Sequence, residues 1–148
     1  MAIDTDHLKS LLAKWQDILR LRDWDIKVEL MDSKWRKSGD IEIDAEDKKA
    51  ILLINESPKS DNLEELVVHE LLHLKLWDMD QMIEMLINLV YGESEKDPKR
   101  EFAYAQFMKL LESTVEDLTK GYLVACGSKQ ELSFGRLRSQ VEEETAGG

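Results

Sequence analysis

Apolar residues recur at helical spacing over residues 3–22, where Leu8, Leu11, Leu12, Trp15, Ile18 and Leu19 make one stripe. The chain therefore opens on an amphipathic helix with one face on the core. The period then changes to two. Trp24 to Leu30 alternates apolar and charged, as a half-buried strand does, and Ile41 to Ala45 alternates again. Ala50 to Ile54 is a continuous apolar run, suited to a strand covered on both faces. Asp32 to Asp40, with Gly39, reads as a loop, and Glu46 to Lys49 as a tight polar connection. Three strands in succession predict a small, mostly antiparallel sheet.

After Pro58 the pattern returns to helical. Asp61 followed by Glu64 makes a capping box, starting a helix that should run to about Trp77. Asp78 with Gln81 suggests a second cap, for a helix with its stripe at Met82, Ile83, Leu86, Leu89 and Val90 and its stop at Gly92. A polar connector leads to Pro98, which fits the first position of a further helix. That helix is expected to reach Lys120, stopped by Gly121, with Tyr104, Met108, Leu111, Val115 and Leu118 turned inward. Strands followed by a block of helices predict an α+β class. The expected organisation is one domain over residues 1–127 and a polar, flexible tail over 128–148, holding a short helix at most.

Composition narrows the setting. The 148 residues suffice for one sizeable core, and 31 acidic against 20 basic residues give a net charge of −11. That balance disfavours nucleic acid and anionic membrane as partners. Cys126 is the only cysteine, so no internal disulfide forms, which suits a reducing compartment. The first ten residues lack an apolar core for a secretory signal, and no stretch reaches the roughly 20 apolar residues of a membrane helix. The expectation is a cytoplasmic protein of undetermined oligomeric state.

The candidate chemistry lies in Val67 to Leu74, which carries His69-Glu70-x-x-His73 inside an apolar helical run. Residues four apart share a helix face, so both imidazoles can reach one Zn²⁺ at roughly 2.0–2.1 Å. Glu70, beside the first ligand, is placed to act as general base toward an activated water. His7 lies outside the apolar stripe of its helix and reads as a solvated surface histidine.

A catalytic zinc usually takes three protein ligands and leaves one position open. No histidine follows His73, and the position six residues on is Met79, so the third donor must be a carboxylate or Cys126. Helical phase puts Glu84 roughly 160° from the apolar stripe of its helix, toward solvent with Asp80 and Asn88. Asp78 is explained as a cap, and Glu93 and Glu95 lie in a connector that fixes neither. Glu101 shares a face with Tyr104, Ala105, Met108 and Glu112 and borders buried ground, where an acid is costly unless paired or bound to metal. Glu101 is therefore preferred as third ligand, with Glu112, Glu93 and Glu95 as alternatives; a Glu near a helix N-terminus is also favoured by the macrodipole alone.

With Glu101 placed 101 − 73 = 28 residues after His73, the pattern resembles the gluzincin branch of zinc metallopeptidases, above all minimal single-domain gluzincins and ImmA/IrrE-type peptidases. Glu101, Phe107 and Leu110-Leu111 keep the spacing of that group's glutamate helix, and the Trp-Asp-Ile strand and Ile-Leu-Leu-Ile-Asn lead-in are similar. Tyr104 stands where those proteins usually have Ala, and Lys75 where an apolar residue is usual. The resemblance implies a zincin-like fold and a zinc-dependent peptidase acting on a peptide or protein substrate. Its metal ligands would be His69, His73 and Glu101, its general base Glu70. Tyr104, one turn from Glu101, could donate to the oxyanion, although a tyrosine there also serves simply as core. The alternative functional reading is a zinc-binding, zincin-fold regulatory or protein-binding module without peptidase activity. A chance motif of two core histidines is the bland one.

Overall fold

The structure, a computed structural model, describes residues 3–128 and 131–147. Its elements are helix α1 (Thr5–Ile18), strands β1 (Asp25–Met31), β2 (Gly39–Asp44) and β3 (Lys49–Asn55), and helices α2 (Leu63–Lys75), α3 (Trp77–Tyr91), α4 (Pro98–Cys126) and α5 (Gly135–Gly147). The class is α+β, as the change of period predicts.

The sheet departs from the expected antiparallel meander. Its order is β1-β3-β2, with β1 parallel and β2 antiparallel to β3. The continuous apolar run at residues 50–54 explains the arrangement: Ala50, Leu52 and Ile54 are buried, so β3 takes the centre. Met31 and Gly39, the end of β1 and the start of β2, flank the same end of β3, so residues 32–38 need only cross that end. Asn55, itself buried, pins the crossing: its side-chain amide donates to the carbonyls of Trp35 and Lys37.

Helix α2 is the centre of the molecule. Leu66, Val67, Val68, Leu71, Leu72 and Leu74 are all buried, so the helix is apolar nearly all round and must be enclosed. The sheet covers it on one side, α1 on another through Leu8, Leu11, Leu12 and Trp15, and α4 through Leu111, Val115 and Leu123. Truncating a side chain such as Leu71 to Ala should cost about 2–5 kcal/mol. The cap of α2 is Asn62, whose side chain accepts from the Glu65 N–H, rather than Asp61. Glu64, freed from capping, turns inward to α1.

Two helices differ from expectation. α3 carries no side-chain cap, and its apolar stripe lies outward: Met82, Leu86, Leu89 and Val90 are exposed, and only Ile87 is buried. The partly covered side is that of Asp80, Glu84 and Asn88, so Glu84 does not project to solvent as its phase suggests. Arg100 of α4 supplies the reason, its guanidinium donating to Asn88 and to Glu101. α4 is entered as predicted, with Asp97 as cap and Pro98 in the first turn, but runs through Gly121 to Cys126. Leu123 is buried beyond that glycine, so core contact outweighs the roughly 1 kcal/mol preference against Gly in a helix.

The chain does not leave the core at Gly127. Ser128 donates its N–H and hydroxyl to Glu64, Asn62 donates to the Glu131 carbonyl, and Glu65 accepts the Ser133 N–H. Polar composition suggests a flexible tail, but these bonds seat it on the start of α2, and α5 follows. No helix among the described residues is long and apolar enough to cross a membrane.

Candidate metal centre

Residues 69 and 73 fall on the face of α2 that meets α4, and their rings lie 5.0 Å apart. Opposite them on α4 is Glu112, flanked in sequence by the buried anchor Leu111. One Glu112 carboxylate oxygen lies 2.8 Å from His73 Nε2 and the other 3.5 Å from His69 Nε2. These three side chains form a group that could hold a metal ion, their donor atoms all within 4.8 Å of one another. Tetrahedral zinc with bonds of roughly 2.0–2.1 Å spaces its donors roughly 3.3 Å apart, and the Glu112 oxygens stand at 2.8 and 3.5 Å from the two imidazoles, on either side of that spacing.

The carboxylate that the structure brings to the two histidines is thus Glu112, not the preferred Glu101. Glu101 is half exposed and pairs with the Arg100 guanidinium at 2.8 Å. It lies eleven residues before Glu112, roughly 16 Å along the helix axis. Glu93 and Glu95 are exposed in the connector before α4 and belong to no such group. Tyr104 is also displaced, roughly 12 Å along α4 from Glu112. Its surroundings are the Arg100 guanidinium, 5.4 Å from its ring, together with Glu84 and Asp80. Cys126 is exposed at the far end of α4. His69, Glu70 and His73 stand where the motif puts them.

The electrostatics follow from this packing. His69 and His73, hydrogen-bonded to Glu112, hold its carboxyl well below the usual carboxylate range. Burial opposes protonation of His69, but Glu112, Glu70 and Glu116 around it outweigh that and raise its pKa. Glu70 is 7% exposed, and burial raises its pKa, with the two histidines pulling it partly back. It makes no hydrogen bond to any described residue. Every fully enclosed side-chain nitrogen or oxygen in the described structure has a partner, so the Glu70 carboxylate keeps an opening to solvent. It opens into a cleft of about 900 Å³ between the start of β2, α2, α4 and residues 132–140.

Sequence reasoning missed two contributors. Gly39 looks like a loop glycine but begins β2, where an added Cβ would lie 3.0 Å from Leu66 Cδ1 and 3.4 Å from Glu70 Cγ. Its bareness lets the edge strand approach Glu70. Glu116, one turn beyond Glu112, stands 3.8 Å from His69 Nδ1 and pairs with Arg136. The i, i+4 spacing of the two glutamates was the available signal. Comparison of the chain with protein-family models, curated proteins and solved structures finds no match.

Proposed function

We propose that this protein is a zinc-dependent peptidase of zincin-like architecture and gluzincin kinship, with His69, His73 and Glu112 as metal ligands and Glu70 as general base. One observation carries the proposal: a two-imidazole, one-carboxylate donor set adjoins a buried carboxylate that has no hydrogen-bonding partner among the described residues and lines a cleft together with one of those imidazoles, His69. Two histidines and a carboxylate are a donor set of hydrolytic zinc sites, which keep a fourth position open. Bound there, the ion would lower the pKa of water toward about 7 and polarise a peptide carbonyl.

The chain's own residues supply the rest. Glu70, made more basic by burial, takes a proton from the attacking water and delivers it to the leaving amine. Glu116 stands beside His69 Nδ1, where it can orient the ring and hold its Nδ1 proton. β2 is the edge of the sheet, so an extended peptide can add to it beside Glu70, with Gly39 removing the obstruction.

Zinc analysis of purified protein tests the ligand set. The parent should hold one zinc per chain, lost in His73→Ala and Glu112→Ala and retained in Glu101→Ala; the reverse result for the two glutamates would refute the Glu112 assignment. Cleavage of an unfolded protein such as casein should disappear in Glu70→Gln with zinc retained. Zinc binding with no cleavage by the parent would favour the non-catalytic module instead.

A further inference from the structure

The cleft beside Glu70 has a charge balance unlike the rest of this acidic chain. Four cations line it, and two are already engaged: Lys37 by Asp40 and Arg136 by Glu116. Of the three lining carboxylates, Glu65 accepts the Ser133 N–H, Glu116 holds Arg136, and Glu70 is the base. Lys59 and Lys120 remain, with no ion pair to any described residue.

Both lysines are fixed in position by their backbones. The Lys59 N–H donates to Ser38 Oγ beside β2, and its carbonyl sits against Gly135, where a Cβ would meet it at 2.6 Å. Lys120 lies one turn beyond Glu116 on α4. The same cleft is also lined by apolar side chains, Leu66 of α2 and Leu132, Phe134 and Leu137 of the C-terminal segment. Phe134 is 57% and Leu137 56% exposed, an open apolar surface on a segment otherwise anchored by hydrogen bonds.

We infer that the C-terminal segment forms the specificity wall of the cleft, which selects extended peptides carrying apolar side chains flanked by acidic ones. The inference rests on the peptidase reading for its site but is tested by binding, which needs no turnover. Apolar side chains of the substrate cover Phe134 and Leu137, while its carboxylates meet Lys59 and Lys120, where complementary charge sets preference more than affinity.

The test uses zinc-loaded, full-length Glu70→Gln and three fluorescent, end-blocked hexapeptides. One holds a leucine–phenylalanine pair flanked by glutamates, the second has lysines for the glutamates, and the third has serines for the apolar pair. Anisotropy at low salt should show the first bound about tenfold more tightly than either other peptide. In a Lys59→Glu/Lys120→Glu double variant of unchanged zinc content, the charge preference should vanish or reverse. Equal affinities, a preference for lysine, no binding of any peptide, or a preference that survives the double variant would each overturn the inference. Casein cleavage by the parent separates the two readings. Cleavage without selective binding sinks this inference alone, and selective binding without cleavage sinks the peptidase reading alone.

Discussion

Helix α2 buries two glutamates, and they are opposite in every respect that matters. Glu64 and Glu70 stand 70 − 64 = 6 residues apart, roughly 240° around the helix. Glu64 is 3% exposed and saturated: it accepts from Trp15 Nε1 and Lys14 Nζ at 2.9 Å each, and from the N–H and hydroxyl of Ser128. Burial alone would raise its pKa, but these donors hold it at about 2. Glu70, scarcely more exposed, has none of them, and burial raises its pKa. Glu64 joins α1, α2 and the C-terminal segment. The Glu70 carboxylate lines a cleft with no hydrogen-bonding partner among the described residues. Burial alone does not single out a candidate functional acid; burial without hydrogen-bond satisfaction, at the mouth of a cleft, is what makes Glu70 the candidate.

Glu70→Gln gives the largest expected effect, and only on chemistry. Removing a general base should lower kcat by about 10²–10⁴-fold, while the melting temperature holds or rises, because an unpartnered buried acid is exchanged for a neutral amide. A fall of several degrees in calorimetry would show that Glu70 is a structural acid like Glu64.

Glu64→Gln should do the reverse. It takes the acceptor charge from a buried network and should cost about 3 kcal/mol, roughly 6–12 °C in melting temperature for a chain of this size. The sign of its pH dependence follows from the depressed pKa. The unfolded chain takes up the Glu64 proton near the ordinary value of 4.5, the folded chain only near 2. The stabilisation is therefore complete above about pH 4.5 and lost as pH falls toward 2, so denaturant midpoints of the parent should drop across that window. In Glu64→Gln the drop should be shallower; identical acid limbs would mean that other carboxylates carry it.

The glutamate proposed as third ligand shows what the letters of the chain could and could not reveal. Period and punctuation expose α1, the three strands, α2 and the Gly92 stop of α3, and the motif exposes His69, Glu70 and His73. Phase also finds the correct face of α4, because eleven residues at 100° each come within roughly 20° of three full turns. Glu101 and Glu112 are therefore indistinguishable by face, and only the height of α4 against α2 separates them. That height is set by Leu111 and Val115 entering the core, a tertiary fact with no local signature. The orientation of α3 was hidden in the same way, since it depends on Arg100 meeting Asn88 from the next helix. Zinc titration should make the distinction quantitative. Glu112→Gln is expected to weaken affinity at least about 100-fold, and Glu101→Gln less than about threefold, since it breaks only a half-exposed pair with Arg100.

The smallest expected effect tests how closely Glu70 depends on its neighbour across the cleft. Gly39 has an ordinary strand conformation, so Gly39→Ala brings no backbone strain and should gain about 0.4–1 kcal/mol from a stiffer unfolded chain. Against this, the new methyl would lie 3.0 Å from Leu66 Cδ1 and 3.4 Å from Glu70 Cγ. Leu66 is a flexible contact and can yield by a few tenths of an ångström, while the methyl comes up against the Glu70 side chain at its Cγ. Stability should consequently change by less than about 1 kcal/mol, zinc content not at all, and kcat fall about three- to tenfold, as the base is misplaced by a fraction of an ångström. Unchanged kcat would mean that Glu70 is positioned by α2 alone, so that the absence of a side chain at residue 39 serves the passage of the substrate along β2 rather than the base. KM would then rise in its place, because the methyl would stand in the path of a peptide adding to the edge strand.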